Sequence, residues 1–290
     1  MFEGVYTAIV TPFRKDGSVD EKALADLIEF QIENGVDGIV PVGTTGESPT
    51  LSYEEHQRVI ETAVASCRGR AKVIAGTGGN STDEALFLTR HAKEAGADAT
   101  LQVTPYYNKP TQRGLIEHFS AIADVGLPVV LYNIPGRTGL AIELPTVCEL
   151  AKHPQIVAIK EAAGSVDRVS QLVRHCPDLE VLSGDDALTL PMMIVGGCGV
   201  ISVAANVMPR EVSDMVHAGL GGDWAKARAL HGKLHRLFTD LFVATNPIPV
   251  KAALARMGRI EEQYRLPLTP LETEAADRLD ACLRAYGLVG

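Results

Sequence analysis

The chain of 290 residues is poor in aromatic side chains and lacks any cluster of positive charge. One Trp, seven Tyr and seven Phe make up only 5% of the residues, so the hydrophobic core must be mostly aliphatic. The 36 Asp and Glu outnumber the 27 Lys and Arg, and the formal net charge is −9. Because phosphate binding relies on clustered Lys and Arg, we predict no nucleic-acid partner.

Long apolar runs, a secretion signal and paired cysteines are also missing. No stretch approaches the roughly 18 apolar residues that span a bilayer. The first residues, Met1 to Val5, contain no basic region followed by an apolar block. The five cysteines are widely spaced and form no C-x-x-C pair. We therefore expect a cytoplasmic globular protein with reduced, mostly buried thiols and no membrane association.

Short apolar runs alternate with longer amphipathic segments along the first 220 or so residues. Continuous apolar character, as in the run from Val129 to Leu131, indicates strands that are buried on both faces. The eight predicted strands begin near Tyr6, Gly38, Lys72, Ala99, Pro128, Ile156, Glu180 and Gly199. This spacing is typical of repeated β-α units and favours a (β/α)8 TIM barrel, with a doubly wound open sheet as the alternative.

Five helices are predicted between the strands and three after them. Residues 20–34, 82–95, 111–123 and 166–175 are amphipathic, and a further helix begins at Ser52, with Glu55 completing a capping box. Residues 224–242, 249–257 and 270–286 predict a C-terminal helical appendage. We therefore divide the chain into a barrel over 1–222 and a helical region over 223–290, with no second catalytic domain.

A single lysine stands where chemistry is expected in such a barrel, at the C-terminal end of a strand. Lys160 directly follows the apolar strand that begins at Ile156. Desolvation disfavours an ammonium group, so a lysine there can present a neutral, nucleophilic amine that forms imines. The alternative is a lysine with a buried stem whose head reaches water or pairs with Glu161.

Three tyrosines lie at predicted loop positions near the same rim. Tyr132 ends the strand before that of Lys160, where a phenol can relay protons. Tyr106 and Tyr107 lie in a loop stiffened by Pro105 and Pro110. Each tyrosine has a purely structural alternative, either ring packing or a subunit contact.

Metal and phosphate sites find little support in the sequence. None of the eight histidines lies at a predicted strand end, and His231 and His235 are expected on a solvated helix face. No G-x-x-x-x-G-K-[ST] motif is present. The turn after Gly76 lacks the spacing of a dinucleotide fingerprint. We predict no metal, no cofactor and a small, unphosphorylated substrate.

Seven motifs along the chain resemble the dihydrodipicolinate synthase and N-acetylneuraminate lyase family, from residue 1 to about residue 286. They are Gly43–Glu47, Val103–Asn108, Tyr132–Gly139, Ile159–Glu161, Leu182–Asp186, Gly199–Ser202 and Asn246–Lys251. The resemblance implies a (β/α)8 barrel in a homotetramer and a class I aldolase that uses a Schiff base. Its substrates would be pyruvate and aspartate 4-semialdehyde.

The resemblance also implies a role for each matched residue. Lys160 would form the imine, and Tyr132, Thr44 and a Tyr107 contributed by a neighbouring subunit would relay protons. The implied substrate-binding residues are Thr45, Arg137, Gly184 and Ile201. Arg137, whose fork matches a carboxylate, favours the synthases over the sialic-acid lyases. A sugar-acid aldolase of the same family stays open, as does a barrel that binds ligands without turnover.

A second group of residues matches positions that bind inhibitory lysine in feedback-controlled relatives. These residues are Ser48, His56, Asn80, Glu84 and Tyr106. Glu84 offers a carboxylate for an amino group of the effector. The alternative is a polar interface that binds no effector.

Overall fold

The computed structural model describes residues 2–290 and contains a closed barrel of eight parallel strands. Each strand pairs with the next in sequence, and the eighth pairs with the first. The strands are β1 (Gly4–Ala8), β2 (Gly38–Val40), β3 (Lys72–Gly76), β4 (Ala99–Val103), β5 (Val129–Asn133), β6 (Ile156–Glu161), β7 (Glu180–Ser183) and β8 (Gly199–Ser202). The predicted TIM barrel is thereby confirmed, and the open sheet is wrong.

Six of the eight strands begin at the predicted residue, and the two exceptions have local causes. β1 begins at Gly4, two residues early, where the main chain already joins Cys198 through a hydrogen bond of 2.9 Å. β5 begins at Val129, one residue late, because Pro128 has no N–H to donate. The strands are buried on both faces, as their apolar runs predict.

Twelve helices surround or follow the barrel within residues 2–290. They are α1 (Glu21–Glu33), α2 (Tyr53–Cys67), α3 (Thr82–Ala95), α4 (Gln112–Ala123), α5 (Pro135–Thr138), α6 (Leu144–Leu150), α7 (Val166–His175), α8 (Thr189–Ile194), α9 (Pro209–Leu220), α10 (Trp224–Asp240), α11 (Ile248–Arg256) and α12 (Thr273–Ala285). The capping box of Ser52 and Glu55 at α2 is present as predicted. The sequence pattern does not indicate α5, α6, α8 or α9; the first three are too short to show a helical hydrophobic period.

The three C-terminal helices share a hydrophobic core with the barrel. Leu237, Leu254 and Leu279, one from each helix, belong to the same buried cluster as Val5 and Ile9 of the barrel side. The predicted boundary between 222 and 223 falls in the turn between α9 and α10. The hydrophobic core is continuous across this boundary. We therefore propose the boundary only as a division of the sequence into a barrel segment and a helical segment.

All five cysteines are free thiols. Cys67, Cys176 and Cys282 are buried, and the other two are half-buried, so the expectation of mostly buried thiols is confirmed. Across residues 2–290, every helix is too short or too polar to cross a membrane. The cytoplasmic location remains a prediction.

The first prediction concerns Gly199, which lies where β8 closes the barrel against β1. A Cβ atom at this position would lie 2.7 Å from the nitrogen of Gly4 and would overlap its carbonyl oxygen. We expect Gly199→Ala to lower the free energy of unfolding by about 2–4 kcal/mol, through overpacking and backbone strain. Chemical denaturation measures the loss.

Gly232→Ala is the matched control for that substitution. Gly232 is exposed on α10, and a Cβ atom there would meet no atom within 4 Å. This variant should be as stable as the parent or more stable by about 1 kcal/mol, because Ala favours helix. Equal stability of the two variants would contradict the close approach of Gly199 on β8 to Gly4 on β1.

Candidate active site

Two of the predicted catalytic residues lie side by side at the C-terminal rim of the barrel. Tyr132 on β5 is in register with Lys160 on β6, and the Lys160 Nζ lies 4.2 Å from the centre of the Tyr132 ring. Both side chains are buried. The chain order of the strands therefore brings together an amine and a phenol that are 28 residues apart, as the sequence predicts.

A cavity of about 180 Å³ opens beside this pair. It is lined by Val42, Gly43, Thr44, Ser48, Pro49, Gly76, Gly78, Leu101, Val103, Tyr106, Tyr132, Ile134, Arg137 and Thr138. The walls are mostly apolar, and the polar groups are hydroxyls and one guanidinium. Such a cavity suits a small polar molecule, and Arg137 is the positively charged residue in its wall.

Burial changes the protonation of Lys160. Desolvation lowers the pKa of its ammonium group to about 7; the Asp186 carboxylate raises this pKa, and Arg137 lowers it. About half of the side chains are then neutral amines near pH 7. The structure thus gives Lys160 the nucleophilic form that the sequence predicts.

The neighbouring Glu161 does not pair with Lys160. Consecutive residues of a strand point to opposite faces, and Glu161 accepts two hydrogen bonds from Asn133 Nδ2, at 2.9 and 3.0 Å. It also accepts one from the Ala163 N–H and lies 3.7 Å from Arg168. The alternative of a Lys160–Glu161 ion pair is therefore wrong.

Tyr132 is held in its protonated form. Burial raises the pKa of its phenol to about 12, and Arg137 and a hydrogen bond with Thr44 act in the opposite direction. The phenol can therefore donate a proton at neutral pH, and Thr44 is the hydroxyl within reach. Two of the three predicted relay residues are in contact within one chain.

Among the four predicted substrate-binding residues, Gly184 lies against Lys160. A Cβ atom at Gly184 would lie 2.9 Å from Lys160 Cε, so only glycine leaves room for the lysine stem there. Ile201 is buried on β8. Thr45 is buried and accepts a hydrogen bond of 3.0 Å from Asn246 Nδ2, while Arg137 donates one of 3.1 Å to the Asn246 carbonyl.

Tyr107 lies outside the cavity that Tyr132 lines. Its side chain is 91% exposed, and its backbone φ of +73° is a value that residues other than glycine rarely adopt. Within one chain the structure does not bring this tyrosine to Lys160. Its neighbour Tyr106 lines the cavity instead.

The five predicted effector residues fall into two layers. Ser48 and Tyr106 line the cavity, and Asn80 donates a hydrogen bond of 3.2 Å to the Tyr106 carbonyl. Burial, with a contribution from Glu84, raises the pKa of the Tyr106 phenol, so this carboxylate is close by. His56 lies deeper and bonds the carbonyl of Gly76 at 2.8 Å.

The profile of the Dihydrodipicolinate synthetase family matches residues 1–286. The chain belongs to this family. A relative named 4-hydroxy-tetrahydrodipicolinate synthase from Syntrophus aciditrophicus is 56% identical over 292 residues, covering 100% of both chains. A relative of the same name from Aquifex aeolicus is 54% identical over 291 residues, covering 99% of both.

Solved structures of dihydrodipicolinate synthases share the fold over nearly the full length. The enzyme from Aquifex aeolicus has a TM-score of 0.97 at 53% identity, covering 99% of both chains. The chloride-inhibited enzyme from Acinetobacter baumannii complexed with pyruvate has a TM-score of 0.98 at 47% identity, covering 100% of both. The enzyme from Cyanidioschyzon merolae with lysine bound has a TM-score of 0.96 at 43% identity, covering 99% of both.

Asp186 is a charged residue near Lys160 for which the sequence pattern predicts no role. Asp186 is buried, and its carboxylate accepts hydrogen bonds from the N–H groups of Val203 and Ala204, at 3.0 and 2.9 Å, and from the Ser202 hydroxyl, at 2.5 Å. It is the second acid after β7, a position at the rim that could have indicated its role.

The histidines of α10 differ partly from the expectation of a solvated helix face. His235 is exposed, but His231 is half-buried, with its ring centre 5.9 Å from that of Phe238. Burial lowers the pKa of His231. Residues 2–290 bring no three His, Cys, Asp or Glu side chains together in a metal-binding arrangement.

The second prediction concerns the charge of Asp186. Its carboxylate raises the pKa of Lys160, so Asp186→Asn should lower that pKa and leave more neutral amine under acidic conditions. The lower pH limit of imine formation with pyruvate should move down by about one unit. Borohydride trapping at a series of pH values measures it.

Asp185→Asn is the matched control, because it removes the same charge one residue away. It should leave the pH limit in place. An unchanged limit in Asp186→Asn, or a limit moved to higher pH, would contradict the proposed influence of Asp186 on the lysine.

Proposed function

We propose that this chain is a lyase that condenses pyruvate with L-aspartate 4-semialdehyde through a Schiff base on Lys160. The product is 4-hydroxy-tetrahydrodipicolinate, in the biosynthesis of diaminopimelate and lysine. The observation that carries the proposal is a buried lysine amine with a pKa of about 7, 4.2 Å from the ring of Tyr132. Relatives with this enzyme name, up to 56% identical over the full chain, support the choice of reaction.

The first step is attack of the neutral Lys160 amine on C2 of pyruvate. The carbinolamine that forms loses water to give the imine, and its hydroxyl group needs a proton to leave. The Tyr132 phenol, protonated at neutral pH, supplies that proton and recovers one from the nitrogen through Thr44. This exchange of protons needs no ionised side chain other than the lysine itself.

The imine then makes the methyl carbon nucleophilic. Loss of a proton from C3 gives an enamine, whose C3 forms the new carbon–carbon bond to the aldehyde carbon, and the aldehyde oxygen takes up a proton. The amine of the adduct attacks C2 and displaces the Lys160 nitrogen, which closes the ring and restores the free lysine. The cycle releases one water at imine formation and one net proton, because the ammonium group of the semialdehyde must lose a proton before it attacks C2. No electrons are gained or lost overall, so no redox cofactor is required.

The proton relay needs an exit, and we assign it to Tyr107 of a second copy of the chain. This tyrosine is 91% exposed on a strained loop and does not line the cavity of its own chain. A homotetramer built from dimers that exchange Tyr107 would place it on a neighbour's Thr44. The oligomeric state is part of this proposal.

Substrate binding is divided between the two ends of the cavity. Thr45, Gly184 and the backbone of Ile201 are proposed to hold the pyruvate part beside the lysine. Arg137 is proposed to bind the carboxylate of the semialdehyde at the mouth, where its exposed guanidinium is accessible. This local cation offsets the net negative charge of the chain for an anionic substrate.

The third prediction tests the proposed function directly. Incubation with pyruvate followed by borohydride reduction should attach a pyruvate-derived group to Lys160, as mass spectrometry of peptides would show. Lys160→Arg keeps the positive charge and should give no adduct. Absence of the adduct in the parent chain would overturn the Schiff-base mechanism.

The aldehyde is tested on the same imine. When it is added to the imine before any borohydride, aspartate 4-semialdehyde should consume the enamine and give cyclic product, so that later reduction leaves little adduct on Lys160, and sugar aldehydes should not. Turnover of a sugar aldehyde in preference would favour the sugar-acid aldolase instead.

L-lysine is the proposed effector, and the solved lysine complex of a relative that is 43% identical supports it. The fourth prediction is that calorimetry with L-lysine gives a saturable heat that Glu84→Gln weakens about tenfold, through loss of a charge-assisted hydrogen bond. Asp83→Asn, one residue away on α3, is the control. No heat, together with unchanged activity in L-lysine, would defeat effector binding.

A further inference from the structure

The C-terminal region reaches back to the loop that carries Thr44 and Thr45 through one buried asparagine. Asn246 lies between α10 and α11, and its side chain is only 6% exposed. Its Nδ2 donates to Thr45 Oγ1 at 3.0 Å, and its main-chain carbonyl accepts from Arg137 at 3.1 Å. One residue, distant in sequence, thus contacts both proposed carboxylate-binding groups.

The two contacts use different parts of Asn246. The bond to Thr45 depends on the side-chain amide, whereas the bond to Arg137 depends on the backbone alone. A substitution of the side chain therefore removes the first contact and leaves the second in place. This separation makes the role of the amide testable.

The amide also determines which way the Thr45 hydroxyl points. A hydroxyl has one proton to donate and lone pairs to accept with. Because the Asn246 amide already donates to Thr45 Oγ1, the threonine proton is directed elsewhere. Among the described residues, no other hydrogen bond of the Thr45 side chain is found, so this proton is available to a bound anion.

We propose that Asn246 is a positioning residue that orients the Thr45 hydroxyl to donate to the carboxylate of pyruvate. The inference rests on the proposed function, in which Thr45 holds that carboxylate. Asn246 itself touches no reacting atom in this scheme. Within residues 2–290 the Asn246 Oδ1 is buried and has no hydrogen-bond partner, so the side chain makes its one hydrogen bond through Nδ2.

The test compares the apparent KM values for the two substrates. Asn246→Ala should raise the KM for pyruvate about five- to tenfold, since a hydrogen bond to a charged group is weakened. The KM for the semialdehyde should stay within about twofold, because the carbonyl that holds Arg137 is retained. A loop that merely loses its structure would raise both values together, and that result would overturn the proposal.

A second variant keeps the size of the side chain. Asn246→Asp can only accept at this position when ionised, so it would draw the Thr45 proton away from the substrate. The KM for pyruvate should rise at least as much as in Asn246→Ala, and a parental value would overturn the assigned direction of the bond. Thr245→Ala, at the exposed neighbouring position, is the control and should leave both KM values unchanged.

A double-mutant cycle decides whether Asn246 acts through Thr45. In a Thr45→Val background, Asn246→Ala should raise the KM for pyruvate less than twofold further, because the hydroxyl is already gone. A full additional five- to tenfold rise would overturn the proposal.

Borohydride trapping on the parent chain distinguishes failure of this inference from failure of the proposed function. No adduct on Lys160 defeats the proposed function. A normal adduct, together with an unchanged KM for pyruvate in Asn246→Ala, defeats only this inference.

Discussion

Desolvation of one amine is the constraint on which the rest of the site depends. Lys160 is the penultimate residue of β6, and the residues near it inside the barrel, Val130, Ala158 and Leu182, are apolar. This burial lowers the pKa of Lys160 to about 7. A lysine in water would be almost entirely protonated at that pH and could not attack a ketone. The same burial destabilises the ammonium form of Lys160. The carboxylate of Asp186 partly stabilises this form and so raises the pKa. The balance between an apolar wall and one acid keeps the amine available in both forms.

The pleat of the barrel keeps that balance from being lost. Tyr132 and Lys160 face the cavity, and the next residues of the same strands, Asn133 and Glu161, face outward and bond to each other. A carboxylate beside the amine would favour the ammonium form and raise the pKa again. The two-residue period of a strand therefore places the reactive pair and its acidic neighbour on opposite sides of one sheet.

Features that depend on local sequence could be predicted, and contacts between distant segments could not. The apolar runs locate six strand starts to the residue, and Lys160 and Tyr132 follow from their positions at strand ends. The hydrogen bond from Asn246 to Thr45 joins residues that are 201 positions apart. The hydrophobic pattern around neither residue indicates this contact. Short helices such as α5, with four residues, offer too few positions for a helical pattern. Tyr107 differs again, because its proposed partner belongs to another copy of the chain.

The C-terminal helices are part of the site, although they follow the barrel in sequence. Glu47, in the loop that carries Thr44 and Thr45, has a φ of +55° and is paired with the fully buried Lys251 of α11 at 2.5 Å. A buried ion pair contributes little net stability, because both charges lose their water, yet it allows few arrangements of the groups that form it. Together with Asn246, this pair fixes the loop from the far end of the chain. The geometry at the barrel rim is therefore set by a segment outside the barrel, and the predicted division at residue 222 separates parts of the sequence rather than parts of the function.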